Sequence, residues 1–326
     1  MTKLDVPTPH LGGERLLGDT GLTVSPIIAG AAGWRRRDDG SGSDPEETAA
    51  LVQAMTKDGL VTVIDTANNY GFGASERRVS WALNQVEGAA DRLLVQTKAD
   101  RAPGTDDFSA RQMRRSLEES MERLGVDRLP MVYLHDPENT TWELAMDDDG
   151  PVAALVAAQQ EGLIGGLGIS GGPATLLRQF IDTGHFQAVI THNRFTLVDR
   201  SADALLTVAA DAGLGVLNAA PYGGGVLTRW PRQSTRYAYG EAPLAMLRSI
   251  DEIGHICAEA GVPIAAAALQ WSLRDPRITG TVVGMERVDD YARTLDLAAM
   301  HIDDGLWGEI EAVELDPRTW QDAHEN

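Results

Sequence analysis

The sequence predicts an α/β fold, a (β/α)8 TIM barrel with an N-terminal β-hairpin plug and two extra C-terminal helices. Three observations carry that expectation. Eight short apolar runs alternate with amphipathic stretches, the signature of repeated βαβ units and a parallel sheet. Three successive runs end in a reactive side chain: Val61 to Thr66 closes around Asp65, Leu93 to Thr97 meets Lys98, and Met131 to His135 ends in histidine. Reactive groups at the ends of successive parallel strands are how a barrel of this kind builds a site.

The remaining elements follow in order. Residues Glu14 to Thr23 read as a hairpin around Asp19-Thr20-Gly21, placed to plug the N-terminal mouth. The first barrel strand is expected at Val24 to Ala29, the later ones at Ile164 to Ile169, Ala188 to Thr191, Gly215 to Ala219 and Thr279 to Val283. Helices are expected at Pro45 to Lys57, Ser75 to Val86, Ser109 to Leu124, Pro151 to Gln160, Pro173 to Thr183 and Ala202 to Ala212. Ser75 serves as an N-cap with Glu76 in the first turn, and Pro151 and Pro173 suit first helical turns. The stretch Leu244 to Arg274 reads as two helices broken at Gly261-Val262-Pro263, and Arg287 to Leu297 and Asp303 to Leu315 supply the two extra ones. Three long connections, Arg35 to Asp44, Pro137 to Gly150 and Arg229 to Pro243, follow the first, fourth and seventh strands. All three therefore belong to the C-terminal face, where long loops cover or shape a site.

Composition narrows the function classes. The chain of 326 residues is 43% hydrophobic, which suits one domain spanning 1–326 with a substantial core. A formal charge of -20 repels nucleic acid and anionic membrane surfaces, so neither is expected as a partner. The lone Cys257 allows no intramolecular disulfide and is expected to be inert; with no apolar leader in Met1 to Gly13 and no bilayer-length apolar run, the cytoplasm is the expected location.

Asp65, Tyr70, Lys98 and His135 together suggest proton transfer to or from a carbonyl or alcohol. A phenol is a poor proton donor near neutrality unless its ionised form is stabilised, and an adjacent Lys98 ammonium is expected to lower its pKa. Asp65 would hold Lys98 charged and in place. His135 would donate a hydrogen bond that orients the carbonyl, with Tyr70 acting as general acid in reduction and general base in oxidation. No spacing of His, Cys and carboxylates suggests a metal site. Taken singly, each of these residues is more often structural; the ordered set is what points to catalysis.

The segments Asp65-Thr66-Ala67-Asn68-Asn69-Tyr70-Gly71, Gln96-Thr97-Lys98, Leu134-His135, Gly162 to Ser170 and Gln270-Trp271-Ser272-Leu273 resemble the aldo-keto reductase superfamily, in order, from Gly18 to about Leu297. His135-Asp136-Pro137-Glu138, Arg194-Phe195-Thr196-Leu197 and Asn218 to Gly225 are similar to its aldose 1-dehydrogenase branch. The resemblance implies a catalytic tetrad of Asp65, Tyr70, Lys98 and His135 and hydride transfer between a nicotinamide cofactor, NAD or NADP, and a small carbonyl compound, alcohol or sugar hemiacetal. General carbonyl reduction with NADPH is the alternative within that chemistry, and a cofactor-binding subunit without turnover is the alternative outside it.

By the same resemblance Ser170 contacts the nicotinamide amide. Its neighbour is Gly171 where the family usually has Asn, the common Gln at the end of the sixth strand aligns with His192, and the stacking aromatic aligns with Ala219, which leaves Tyr222 as a stand-in. Gly223 and Gly224, with Gly225, would bring backbone N–H groups to the pyrophosphate. Gly284, Glu286 and Arg287 would meet the adenosine ribose, where Glu286 repels a 2′-phosphate and Arg287 would bind one, with the balance tilted to NAD. The run Gly166-Leu167-Gly168-Ile169-Ser170-Gly171 matches G-x-G-x-x-G, but its first glycines lie within a strand and no acidic residue follows at the required distance, so it is read as relief of crowding at the barrel wall. Aromatic residues on the C-terminal-face loops, Trp34, Phe72, Trp142, Trp230, Tyr237 and Tyr239, are the candidates for a substrate wall. The oligomeric state is left open.

Overall fold

The computed structural model describes residues 11, 13–35 and 42–323. The interior of the expected loop Arg35 to Asp44 and most of Met1 to Gly13 lie outside these residues. The chain begins with the expected hairpin: β1 (Arg15–Leu16) pairs antiparallel with β2 (Thr23–Val24). The barrel strands are β3 (Ile27–Gly30), β4 (Val63–Asp65), β5 (Leu94–Ala99), β6 (Leu129–His135), β7 (Ile164–Gly171), β8 (Ala188–His192), β9 (Gly215–Ala219) and β12 (Gly280–Gly284), closed in that order with β12 against β3. Every barrel pairing is parallel. The expected first strand is split: Val24 ends the hairpin, and the barrel strand starts only at Ile27.

Inside the barrel the side-chain period of two decides which residues converge. Leu17 and Val24 from the hairpin meet Ile28, Val63, Met131, Tyr133, Ala188, Ile190, Leu217 and Val282 in one interior cluster, so the hairpin does plug the N-terminal mouth. The glycines of β7 make room for it. A Cβ on Gly168 would stand 2.3 Å from the Tyr133 ring, and one on Gly166 would stand 2.6 Å from the Met131 sulfur. The run that mimics a dinucleotide fingerprint is therefore a wall thinned for two large neighbours.

Helices α1 (Pro45–Asp58), α2 (Ala74–Gln85), α4 (Ala110–Leu124), α6 (Pro151–Gln160), α7 (Ala174–Asp182) and α8 (Asp203–Asp211) cover the strands, with a single turn α3 (Ala89–Arg92) before β5 and another, α5 (Trp142–Ala145), in the connection after β6. The stretch after β9 carries the small hairpin β10 (Arg236–Tyr237) and β11 (Gly240–Glu241), then α9 (Leu244–Glu259) and α10 (Ile264–Leu273); α11 (Val288–Ala299) and α12 (Asp304–Glu311) follow β12. The turns α3 and α5 and the second hairpin are too short for a periodic pattern to reveal. Pro173 is the N-cap of α7 and not its first residue. Cys257 is fully buried in α9, and burial pushes its thiol up to about 11. Among the described residues, no single helix is long and apolar enough to cross a membrane.

Candidate functional site

Period two, counted from Tyr133 inside the barrel, turns Asp65, Lys98, His135, Ser170, His192, Ala219 and Gly284 toward the axis at the C-terminal ends of their strands. The acidic and basic groups gather on the β4–β6 side. Lys98 Nζ donates to Asp65 Oδ2 at 2.7 Å, to the Thr66 carbonyl at 2.9 Å and to Tyr70 Oη at 3.1 Å. The His135 ring stands edge-on to Tyr70, with centroids 5.6 Å apart. Gln96 supports the group from below: its Nε2 donates to Asp65 Oδ1 at 2.7 Å, while its Oε1 accepts from Tyr133 Oη at 3.2 Å.

Tyr70 lies on a loop, so its position has to be fixed by other contacts. Asn68 N donates to the Lys98 carbonyl at 3.1 Å, Asn69 N donates to Asp100 Oδ2 at 2.8 Å, and Ser75 N donates to the Tyr70 carbonyl at 3.2 Å. Arg123 of α4 bonds the Asn68 carbonyl and the buried Glu76, each at 3.1 Å, and Glu76 also accepts from Thr97 at 2.7 Å. Ser75 is not a cap. Gly73 is the N-cap of α2, and the Ser75 hydroxyl is buried between Thr66 Oγ1 and the Ala31 carbonyl. Glu76 is a buried ion-pair partner binding α2, β5 and α4 around the Tyr70 loop.

Charge in the site departs from expectation in one respect. Burial raises the Tyr70 phenol, and although Lys98 pulls in the other direction the result is a pKa pushed up to about 12. Burial works against the Lys98 ammonium, but Asp65 and then Tyr70 outweigh it and the net direction is upward. The site thus holds a protonated phenol beside a firmly charged ammonium. Burial also opposes charge on His135, yet Asp100 and Asp136 outweigh it and raise its pKa. His192 goes the other way: burial lowers it to about 4, leaving a neutral imidazole edge-on to Tyr239 at 5.8 Å.

The opposite side of the mouth carries Ser170, His192, Ala219 and Gly284 in turn around the axis, and a Cβ on Gly284 would meet nothing within 4 Å. The Asn193 side-chain oxygen, one residue beyond β8, is buried without a partner and is an acceptor for an amide N–H. Gly171 is crowded: a Cβ there would lie 2.8 Å from Glu138 Oε2, whose partner oxygen accepts from Gly172 N at 3.0 Å. Gly223 to Gly225 all have positive φ, and a Cβ on Gly224 would lie 2.6 Å from the Ala238 carbonyl. They seat the β10–β11 hairpin, whose Ala238 N donates to the Gly223 carbonyl at 3.1 Å.

The aromatic candidates divide sharply. Trp34 is 0% exposed and donates to the Met285 carbonyl at 2.7 Å, and Tyr237 is 2% exposed and donates to the Asn193 carbonyl at 2.7 Å. Neither can face a substrate; both anchor loops. Trp142 packs on Phe180 at 5.0 Å, and Trp230 packs on α9 against Gly254 and His255. Trp34 is thereby removed from the expected wall, while Trp142 and Trp230 each keep part of their surface exposed. Tyr222 packs against the cluster that includes α9 and α11, with burial pushing its phenol up to about 12. Phe72 and Tyr239 remain the exposed aromatics of the C-terminal face, at 72% and 76%.

Three features were missed in the sequence. Asp100 accepts from Asn69 N through Oδ2 and has its Oδ1 2.7 Å from His135 Nδ1; its spacing of two from Lys98 already placed it on the inward face. The Tyr133–Gln96 layer beneath Asp65 has the same spacing. The third is backbone strain: among the described residues, the non-glycine positions with positive φ are Phe72, Asp136, Asn193, Ala220 and Ala238, all in connections on the C-terminal face. Strain of about 1–3 kcal/mol at each is held by surrounding structure and collects at functional sites.

The aldo/keto reductase family model matches residues 26–315. The chain belongs to this family. It is 31% identical over 299 residues to D-threo-aldose 1-dehydrogenase of a Pseudomonas species, covering 84% of this chain and 90% of that one. It is 28% identical to L-galactose dehydrogenase of Arabidopsis thaliana over the whole of both chains. A solved structure of a putative aldo-keto reductase from Pseudomonas aeruginosa superposes with a TM-score of 0.66 at 25% identity, covering 89% of this chain and 95% of that one. Membership makes the protein an NAD(P)-dependent oxidoreductase acting on C=O and CH–OH groups of small carbonyl or sugar compounds.

Proposed function

We propose that the protein oxidises a sugar hemiacetal at its anomeric carbon to a lactone, with NAD preferred, and that Tyr70, Lys98, Asp65 and His135 carry the reaction. The observation that carries it is the Lys98 ammonium bonded at once to Asp65 and Tyr70 at the barrel mouth. The sugar reading rests on the two relatives above, whose names describe aldose and galactose dehydrogenases. Bound nicotinamide supplies the hydride acceptor. Tyr70 Oη hydrogen-bonds the reacting oxygen and protonates it in the reductive direction, while Lys98 stabilises the phenolate that forms. Asp65, itself held by Gln96, keeps Lys98 charged and aimed. Ser170, His192, Asn193, Ala219 and Gly284 would hold the nicotinamide end, with Gly223 and Gly224 toward the pyrophosphate.

The preference for NAD is supported by Arg287. Its Nε donates to Glu47 at 2.9 Å and its Nη2 to the Gly42 carbonyl at 3.0 Å, and Glu286 stands beside it over Gly33. An arginine already matched with a carboxylate gives a 2′-phosphate little to gain.

Steady-state assays of L-fucose, D-arabinose and L-galactose with each cofactor, beside simple aldehydes with NADPH, test the reading. Oxidation of at least one sugar with NAD is expected, and Tyr70→Phe should lower turnover by about 10³-fold or more while leaving cofactor binding, read by fluorescence, unchanged. Turnover of aldehydes with NADPH alone, and of no sugar, would replace the reading with general carbonyl reduction.

A further inference from the structure

We propose that Asp136 is the specificity-determining residue of the site: its carboxylate accepts the hydroxyls next to the reacting carbon and so selects a neutral polyhydroxy substrate over a plain aldehyde or a phosphorylated sugar. This rests on the sugar-oxidation reading above and names the group that picks out the sugar.

Asp136 directly follows His135 at the end of β6, and its backbone is left-handed, with φ 46° and ψ 56°. A non-glycine residue is held there at a cost, and such strain collects where a side chain must point in a set direction. The main chain fixes this turn. Asp136 N donates to the Ser170 carbonyl at 2.7 Å, and the Asp136 carbonyl accepts from Asn139 N and from Asn139 Nδ2, each at 3.0 Å. The carboxylate takes no part: it stands at the head of the 3₁₀ turn Pro137–Asn139 without capping it. Instead its Oδ1 lies 3.6 Å from His135 Nε2, with the side chain 42% exposed.

The other carboxylates around the mouth are already matched. Asp65 accepts from Lys98 and Gln96, Glu138 accepts from Gly172 N, and Asp100 accepts from Asn69 N with His135 Nδ1 against its second oxygen. Among the described residues, the Asp136 side chain accepts no hydrogen bond. An ionised carboxylate has about four acceptor sites to fill. A polyol brings hydroxyl donors in pairs, and a charged acceptor holds each about twice as strongly as a neutral one.

The position suits a substrate held by the tetrad. Tyr70 and His135 meet edge-on with ring centroids 5.6 Å apart, and the reacting oxygen belongs between them. Asp136 stands on the Nε2 side of His135, within reach of the hydroxyl on the neighbouring carbon. After burial, its charge is the largest influence on the Tyr239 phenol and on the His192 imidazole, which places all three on one side of the mouth. The Tyr239 ring, 76% exposed, extends that side toward solvent. Arg194, the cation of this side, is bonded to Asp322 and leaves a substrate phosphate facing the Asp136 charge.

The test uses the full chain in the reductive direction, so that it does not depend on lactone formation. Glyceraldehyde and propanal share a carbon chain and differ in two hydroxyls; glyceraldehyde 3-phosphate adds the anion. Two variants keep the turn, because Asn tolerates left-handed backbone and Gly adopts it freely. In Asp136→Gly, kcat/KM for glyceraldehyde should fall about 10- to 100-fold more than for propanal, chiefly through KM. The comparison cancels any effect passed through His135, which reaches both aldehydes alike. Asp136→Asn keeps one acceptor and should fall between, while its kcat/KM for glyceraldehyde 3-phosphate should rise about threefold or more. Both variants should melt within about 3 °C of wild type, since the carboxylate supports no internal hydrogen bond. Binding of D-arabinose to the enzyme–NADH complex, read by nicotinamide fluorescence, needs no turnover and should weaken about 10-fold or more in Asp136→Gly.

Equal losses for glyceraldehyde and propanal, a loss in kcat with KM unmoved, no gain on the phosphate in Asp136→Asn, or arabinose binding unchanged in Asp136→Gly would overturn the proposal. Equal losses with a lower melting temperature would mean that Asp136 only supports the turn carrying His135. A protein that binds arabinose through Asp136 yet oxidises no sugar would refute the functional reading and leave this assignment standing.

Discussion

Replacing Lys98 by methionine separates what the ammonium does for chemistry from what it does for the fold. The side chain is 1% exposed and its Nζ sits 3.1 Å from Tyr70 Oη and 2.7 Å from Asp65 Oδ2. At an effective dielectric of about 20, a unit charge at the first of these distances stabilises a phenolate by roughly 5 kcal/mol, an upper bound because solvent and neighbours share the compensation. Charge develops on that oxygen only as the proton leaves, so the loss falls on the transition state. Lys98→Met is therefore expected to lower kcat for aldehyde reduction by about 10³-fold, with KM changed far less. The same substitution leaves Asp65 as a buried carboxylate without its cation, which costs roughly 3–5 kcal/mol of stability. The sign of the pH dependence follows from the raised Lys98 pKa. Its contribution to stability is complete below the ordinary lysine value and is lost only as pH rises through the higher folded value, so the deficit of the variant is constant across neutral pH. The double variant Asp65→Asn/Lys98→Met removes the lone charge and should regain most of the melting temperature but none of the rate. Denaturant unfolding and nicotinamide absorbance read the two quantities separately. Turnover of Lys98→Met within tenfold of wild type, or recovery of rate in the double variant, would refute the argument.

Two further outcomes follow from the packing. Gly168→Ala places a methyl 2.3 Å from the Tyr133 ring and should cost about 1–3 kcal/mol, read by denaturant unfolding; a neutral result would mean that Tyr133 has space to move and that the glycines of β7 are not spacers. Glu76→Ala strands Arg123 and Thr97 and should cost about 3 kcal/mol or more, with loss of activity as the Tyr70 loop loosens, whereas the conservative Glu76→Gln keeps one hydrogen bond and should fall between; equal melting temperatures for Glu76→Ala and wild type would show that the buried pair is not what holds α2 against α4.

The sequence by itself determined the barrel, its N-terminal plug and the convergence of Asp65, Lys98 and His135, because a strand's side chains alternate with a fixed period and eight parallel strands have one closed arrangement available. It also determined that Gly166 and Gly168 lie inside a strand. Tertiary structure alone decided everything that depends on where a loop side chain goes. Trp34 and Tyr237 read as possible pocket walls because their loops leave the catalytic face, but a loop has no period, and burial of these two rings in the core keeps them from the mouth. Ser75 and Glu76 look like an ordinary helix start; only the approach of Ala31, Thr97 and Arg123 turns them into a buried anchor for the Tyr70 loop. The net rise of the Tyr70 pKa was likewise out of reach, since the neighbouring lysine is visible in the sequence and the depth of burial that overrides it is not. The contact between Asp100 and His135 belongs to both levels: spacing sets the direction of each side chain, and only closure of β5 against β6 sets the 2.7 Å between them.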